Sequence, residues 1–531
     1  MSRFAKDPAA LRDVSRRAFL QIAASIAALP MLDRAAWALP AAARLADDPF
    51  TLGVASGDPT PTGVVLWTRL APKPLQLDGG MTPEAVDVSW VVASDERLSK
   101  IVKQGVVRAG PDTGHAVHVE VEGLDADRWY FYGFRTRDHA SPVGRTRTMP
   151  ADDVMPASLT FAFASCQHFE HGYYNAYRGM AADTPDMVFF LGDYIYEYAG
   201  EKKKTDSKDA RVRIHEGPKL KSIADYRRRY AQYRSDAALT SMHAACPWWV
   251  TWDDHEFENN YANLVSSLKD VDPKAFVVQR AAAYRAYYEH MPLRPSSIPN
   301  GPDMQLFRKG RFGRLMDFHV LDTRQYRTDQ VNGDGQRLLD DDAYSPENTI
   351  LGRRQREWLE SALGASKGTW NLLAQQVMMG AVGRRSKTPG ANTYSMDQWP
   401  GYMDERNKLL RFLGEKKVAN PVVITGDIHS NWVNNLRVGD REGKGPIVGT
   451  EFVGTSISSG GNGTEVPKAL EDLLSDNPSL KWHSAERGYV RCVVTPKSWR
   501  TDYVAAPDVL TQGAGVVTRK SFEVAAGSPG V

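Results

Sequence analysis

Four apolar runs in this chain each stop at side chains that can bind a metal ion. Leu159-Thr160-Phe161-Ala162-Phe163-Ala164 ends at Ser165-Cys166, and Met187 to Leu191 ends at Gly192-Asp193, with Tyr196 three residues on. Trp248-Trp249-Val250-Thr251-Trp252 runs into Asp253-Asp254-His255-Glu256, and Pro421-Val422-Val423-Ile424-Thr425 into Gly426-Asp427-Ile428-His429. Any one of these alone reads equally well as a strand with a turn cap. Four with the same layout point to a shared metal site. Carboxylates and a phenolate are hard donors that suit trivalent iron or an oxygen-seeking divalent ion, whereas a closed zinc site favours Cys and His. Aspartates can also bridge two cations, and such a cluster can hold a hydroxide nucleophile and neutralise a phosphoryl group.

Those side chains converge only if the strands that carry them are neighbours. From Leu159 onward, apolar runs alternate with helical text at 173–182, 225–236, 272–289, 351–365 and 403–413, the grammar of an α/β fold with sites at strand carboxyl ends. Further strands are expected at 312–321, ending in Asp322-Thr323-Arg324, and at 370–377. The stretch 49–150 differs: short runs separated by Gly, Pro and Asp clusters predict a small β-sandwich of immunoglobulin or fibronectin type. His115 and His118 fall in one of its strands, on the expected surface. Pro142, Pro150 and Pro156 mark the linker, and the charged stretch 201–221 reads as a solvated loop. A catalytic domain with a C-terminal extension then spans 157–531, its tail at 515–524 alternating like a strand.

The chain has 531 residues, 42% hydrophobic and 24% charged, enough for a large core and two domains. Its formal charge is +2, but residues 1–38 hold six basic and three acidic side chains, so the remainder stands at −1. That balance gives no electrostatic case for nucleic-acid binding. Ser15-Arg16-Arg17-Ala18-Phe19-Leu20-Gln21, an alanine-rich stretch and Ala36-Trp37-Ala38 form a twin-arginine signal pattern, assigned to residues 1–43. The apolar stretch is shorter than the ~20 residues that span a bilayer. The expectation is a periplasmic or secreted protein that meets the twin-arginine export machinery and keeps no transmembrane segment when mature. Of three cysteines, Cys246 and Cys492 could pair or remain two separate buried thiols.

Gly192-Asp193-x-x-Tyr196 resembles the iron-binding element of purple-acid-phosphatase-type enzymes, and Asp254-His255-Glu256 resembles their Asn-His-Asp/Glu element. The fuller resemblance is to the PhoD-like alkaline phosphatases, carried by Gly53-Val54-Ala55-Ser56-Gly57-Asp58-Pro59, Phe163-Ala164-Ser165-Cys166-Gln167, Asp397-Gln398-Trp399-Pro400-Gly401-Tyr402 and Gly426-Asp427-Ile428-His429-Ser430-Asn431-Trp432. It implies a four-layer α-β-β-α metallophosphatase core behind the small β-sandwich, with one ferric iron and one or two calcium ions. By that resemblance Cys166, Asp193 and Tyr196 hold iron, Asp193 bridges to calcium, and Asp254, Asp427 and His429 complete the metal set. His255 and His429 are the expected catalytic histidines, and Arg324 joins them because its fork matches two phosphate oxygens, a structural pair with Asp322 being the equal alternative. Asp427 stands where the wider superfamily has histidine, which suits calcium over zinc and leaves open which ion Asp427 and His429 touch. A C-terminal helical lid is not expected here. His168 and His171 are placed behind the ligands or at the surface, Trp399 and Tyr402 in the walls or core, and Tyr194 and Tyr198 in packing, while Asn259 and Asn260 either donate an amide oxygen to a metal or serve as turn residues.

The implied activity is hydrolysis of phosphate monoesters, diesters or both by a metal-activated hydroxide. Phospholipase-D-like cleavage of lipid head groups is the alternative within that chemistry. An inactive, metal-stabilised binding or adhesion protein is the alternative of another class.

Overall fold

A computed structural model describes residues 47–202, 210–439 and 444–531. The expected twin-arginine leader at 1–43 and residues 203–209 of the charged stretch lie outside the described residues.

Two mixed sheets organise the chain. The first has nine strands in the order Val517–Ala525, Ser498–Ala506, Arg487–Val494, Leu159–Ala164, Met187–Leu191, Trp248–Thr251, Val54–Gly57, Gly63–Arg69 and Ala116–Glu122. Its centre is parallel, with Met187 beside Phe161 and Leu191 beside Thr251. The second has seven: Arg308–Phe312, Met316–Val320, Trp370–Ala374, Pro421–Thr425, Ile447–Val453, Asn431–Arg437 and Leu480–Ser484.

The apolar runs are unbroken because both faces of their strands are covered. Phe161, Phe163, Phe189 and Leu191 pack between the sheets against Phe318, Leu372, Ile424 and Phe452. The alternate residues Ala162, Ala164, Val188, Phe190 and Val250 face the other way. There they meet Tyr177, Tyr226, Leu239 and Tyr284 from the helices Asn175–Ala182, Ile223–Arg234, Ala237–Ala245 and Pro273–His290. On the far face of the second sheet, Leu373 and Val423 pack against Leu359, Leu409 and Leu410 of the helices Gly352–Gly364 and Met403–Glu415. A one-residue slip of any central strand would exchange its two faces, so the site-bearing ends are held in register by packing.

The N-terminal region departs from a freestanding sandwich. Its sheet of Ile101–Ala109, Val86–Ala93, Trp129–Thr136 and His139–Ala140, flanked by Gly144–Arg147, shares a core with three strands that belong to the nine-stranded sheet. Gly57 pairs in parallel with Trp248 and provides the join. A Cβ at Gly57 would sit 2.7 Å from the Trp248 carbonyl oxygen, so only glycine lets the two strands touch.

Other expectations are corrected in detail. The strand expected at 312–321 is Met316–Val320, and a tight turn at Gly313, φ +53°, pairs it with the preceding strand Arg308–Phe312. His115 is buried in the turn before its strand, its Nε2 3.2 Å from the Glu84 carbonyl oxygen, and burial lowers its pKa to about 4. His118 contacts the Met291 carbonyl oxygen at 2.9 Å and stacks on Tyr288; it is half-buried, so of the two histidines only His115 departs from the expected surface position. Cys246 and Cys492 are free thiols in different clusters, one on the helix side and one between the sheets. The tail forms the edge strand Val517–Ala525.

Candidate metal centre

The four strand ends meet on one rim. Cys166, Asp193, Asp427 and His429 all have left-handed backbones, with φ of 59°, 57°, 63° and 55°. Each such non-glycine residue costs about 1–3 kcal/mol and persists only where its surroundings over-determine it. The loops supply that constraint: Cys166 N–H donates to the Gly192 carbonyl at 3.0 Å and Gln167 N–H to the Asp193 carbonyl at 3.1 Å. The Glu256 carboxylate accepts from the N–H groups of Asp193, Tyr194 and Asp253 at 3.1, 2.6 and 2.8 Å, which fastens two ligand loops to each other. Gly192 allows this approach, since a Cβ there would lie 2.4 Å from that of Asp253.

Three overlapping sets of ligand atoms result, the atoms of each within 4.8 Å of one another: Cys166, Asp193 and His429; Asp193, Asp254 and His255; Asp253, Asp254 and Asp427. Asp193 joins the first set to the second, and Asp254 joins the second to the third. The Tyr196 hydroxyl adds to the first set, donating to Asp193 Oδ2 at 2.8 Å and lying 3.1 Å from His429 Nε2 and 2.7 Å from Ser459 Oγ. His429 thus groups with the thiol, and Asp427 with the carboxylates. All six expected metal residues are brought to the rim.

A bound cation fits these donors. Asp193 Oδ1 and Asp253 Oδ2 are buried and have no hydrogen-bond partner among the described residues, an expensive state for a carboxylate oxygen. Burial drives the Asp193 pKa well up, and Asp253 and Asp427 are raised as well, burial again first. Burial also lifts the Cys166 thiol and the Tyr196 phenol, with Asp193 the next cause in both. Burial thus favours the protonated form of these donors, and a cation that displaced those protons would satisfy the same lone pairs. A thiol, a phenol, an imidazole and a carboxylate make one mixed donor set, and three aspartates make an all-oxygen one.

Asp254 behaves oppositely. Burial would raise it, but the charges of Arg324 and His255 hold it well below the usual carboxylate range. His255 is pushed up: burial disfavours its charge, and Asp254, Glu197 and Asp193 together outweigh that. Its Nδ1 lies 2.8 Å from Glu197 Oε2, and since a carboxylate only accepts, Nδ1 carries the proton and Nε2 is left for the site.

Arg324, expected against phosphate, is instead fully buried among carboxylates. Its Nε donates to Asp253, its Nη1 reaches Asp397 at 2.7 Å, and its Nη2 stands 3.3 Å from Asp427 and 3.7 Å from Asp254. Asp322 is not its ion partner; that carboxylate caps the backbone N–H groups of Arg324 and Gln325 at 3.0 and 2.9 Å. An arginine with every face committed to an anion positions ligands and does not meet substrate.

The remaining expectations divide. Asn260 donates its N–H to Asp254 Oδ2 at 2.7 Å, so its backbone and not its amide supports the site. Trp399 and Tyr402 are core residues beneath the second sheet's helices. Tyr194 is packed, whereas Tyr198 is 39% exposed with its ring 5.3 Å from His255. His168 lies behind Tyr196 with its ring tilted against it, centroids 4.3 Å apart. Sequence reasoning missed Asp253, Glu197 and Ser459 as site residues. Asp253 and Glu197 lay inside the motifs, but no spacing rule says that Glu197 turns back to His255.

Comparison with known proteins agrees over nearly the whole chain. The PhoD-like phosphatase family matches residues 161–503, and the N-terminal domain of PhoD-like phosphatases matches residues 35–150. The chain is 49% identical over 512 residues to alkaline phosphatase D of Bacillus subtilis (strain 168), covering 96% of this chain and 87% of that protein. A solved structure described as that of PhoD superposes with a TM-score of 0.88 at 49% identity, covering 92% of this chain and 94% of the other.

Proposed function

The chain belongs to the PhoD-like phosphatase family, and from that premise we propose an exported, metal-dependent phosphatase acting on phosphate monoesters, diesters or both. The single observation that carries this reading is the unbroken series of ligand sets joined through Asp193 and Asp254. Two mixed sheets face to face, with helices on both outer faces, support reading the core as the four-layer metallophosphatase fold, with the N-terminal sheet a sandwich fused to it.

Residues Cys166, Asp193 and Tyr196, with His429 beside them, would hold iron; Asp254 and Asp427, with Asp253, would hold calcium, and Asp193 would be shared. Bound there, such cations acidify water and offset phosphoryl charge. The protein's own groups do the rest. Arg324 keeps Asp253, Asp254 and Asp427 together before any ion arrives. Glu197 orients His255 so that its Nε2 presents a proton to the leaving oxygen, the assignment of a general acid. Glu256 locks the two ligand loops to each other, which keeps Asp193 and Asp254 in place. Export rests on the Arg16-Arg17 leader.

Asp193→Ala tests the reading: hydrolysis of a phosphate monoester and a diester should be abolished while the circular dichroism spectrum is unchanged. Undiminished turnover would remove the centre from the mechanism.

A further inference from the structure

Behind the first ligand set lies a second cluster that the proposed chemistry does not use. His168, Glu170 and His215 are 2%, 0% and 3% exposed, and each places one ligand atom within 4.8 Å of the others. His215 Nδ1 is buried without a hydrogen bond among the described residues, and the nearest carboxylate oxygen, Glu170 Oε2, is 3.8 Å away. That separation is too long for a hydrogen bond and leaves a nitrogen facing an anion with nothing between them. An ion about 2.1 Å from each atom would fill the gap.

The surroundings are those of a ligand shell. His215 Nε2 lies 2.9 Å from the Tyr233 hydroxyl, the kind of partner that fixes the tautomer of a ligating histidine. Glu170 is oriented by N–H groups of Glu201 and His215 on Oε1 at 3.0 and 2.9 Å, and by Arg211 on Oε2 at 2.9 Å. His168 is held flat by stacking on His171 at 3.6 Å, and the N–H of Glu170 meets its Nδ1 at 3.2 Å, a contact long enough to yield to an ion.

We propose that His168, Glu170 and His215 form a separate binding site for a divalent transition ion of the zinc class. Two imidazoles and one carboxylate leave a fourth position open and select zinc over calcium. The ion would pin the segment that follows Cys166 to the segment around His215, directly behind Tyr196. The proposal does not depend on the assignment of iron and calcium.

The test is zinc content and position in the full-length protein dialysed against excess Zn2+. Wild type and Asp193→Asn should each keep one zinc equivalent that His215→Ala and Glu170→Gln lose, and crystals of wild type at the zinc absorption edge should show an anomalous peak among the three side chains. Equal zinc in wild type and both cluster variants, or no peak there, overturns the proposal. If the cluster variants fail to fold, the wild-type peak decides alone.

Discussion

The two halves of the candidate centre are built on different electrostatic plans. In the half with Cys166, Tyr196 and His429 burial favours the protonated thiol and phenol and the neutral imidazole, and its near cation, Arg487, donates to backbone oxygens of His429 and Gly461 and has no carboxylate partner among the described residues. The half with Asp253, Asp254 and Asp427 carries its countercharge already, in Arg324. Both halves would give up protons to a cation, the first from its thiol and phenol and the second from Asp253 and Asp427, but only the second also trades part of its hold on an arginine. Asp193 is the one carboxylate common to the first half and the bridge to the second.

Breaking the shared residue should have the largest effect. Asp193→Asn is expected to lower kcat/KM about 10³-fold, some 4 kcal/mol of transition-state stabilisation, in steady-state assays of both ester classes. Removing the built-in countercharge comes next. Arg324→Met strands several buried carboxylates and should cost the chelated protein about 3 kcal/mol in denaturant unfolding. In metal-loaded protein the loss should be smaller, because a bound cation replaces the lost charge. Equal losses in both states would contradict the division drawn above.

A pH series sharpens the same contrast. Burial raises the Asp253 carboxyl to about 6 from 3.8, against the pull of Arg324. A raised acid stabilises the fold fully below its unfolded pKa and loses that contribution as pH rises through the folded value. Chelated wild type should therefore lose thermal stability between about pH 4 and pH 7 relative to Asp253→Asn, whose curve lacks this component. The smallest change is expected at the orienting pair. Glu197→Gln should reduce kcat about tenfold with KM little altered, and Glu197→Asp should recover part of it. A rise in KM alone would make Glu197 a binding residue.

How much was legible in the sequence follows the same physics. The strand ends could be read because a buried parallel strand needs an unbroken apolar run and its loop needs Gly or Asp, so 187–193 and 421–427 announce themselves. The join of Gly57 to Trp248 could not, since parallel pairing between segments far apart in sequence leaves no local periodicity. The first arm of the hairpin at Gly313, Arg308–Phe312, was hidden because Arg308, Lys309 and Arg311 leave it no apolar run. At the site, ligand types followed from motif composition. Partner choice did not: whether Arg324 meets phosphate or carboxylate, and which half claims His429, depend on how loops from distant strands cross.

The account rests most directly on Asp193 serving both halves. Elemental analysis of purified Asp193→Asn, Cys166→Ser and Asp427→Asn, each compared with wild type, measures this. Asp193→Asn should lose iron and calcium together, Cys166→Ser mainly iron, and Asp427→Asn mainly calcium. Retention of either metal at wild-type level in Asp193→Asn would contradict the shared centre.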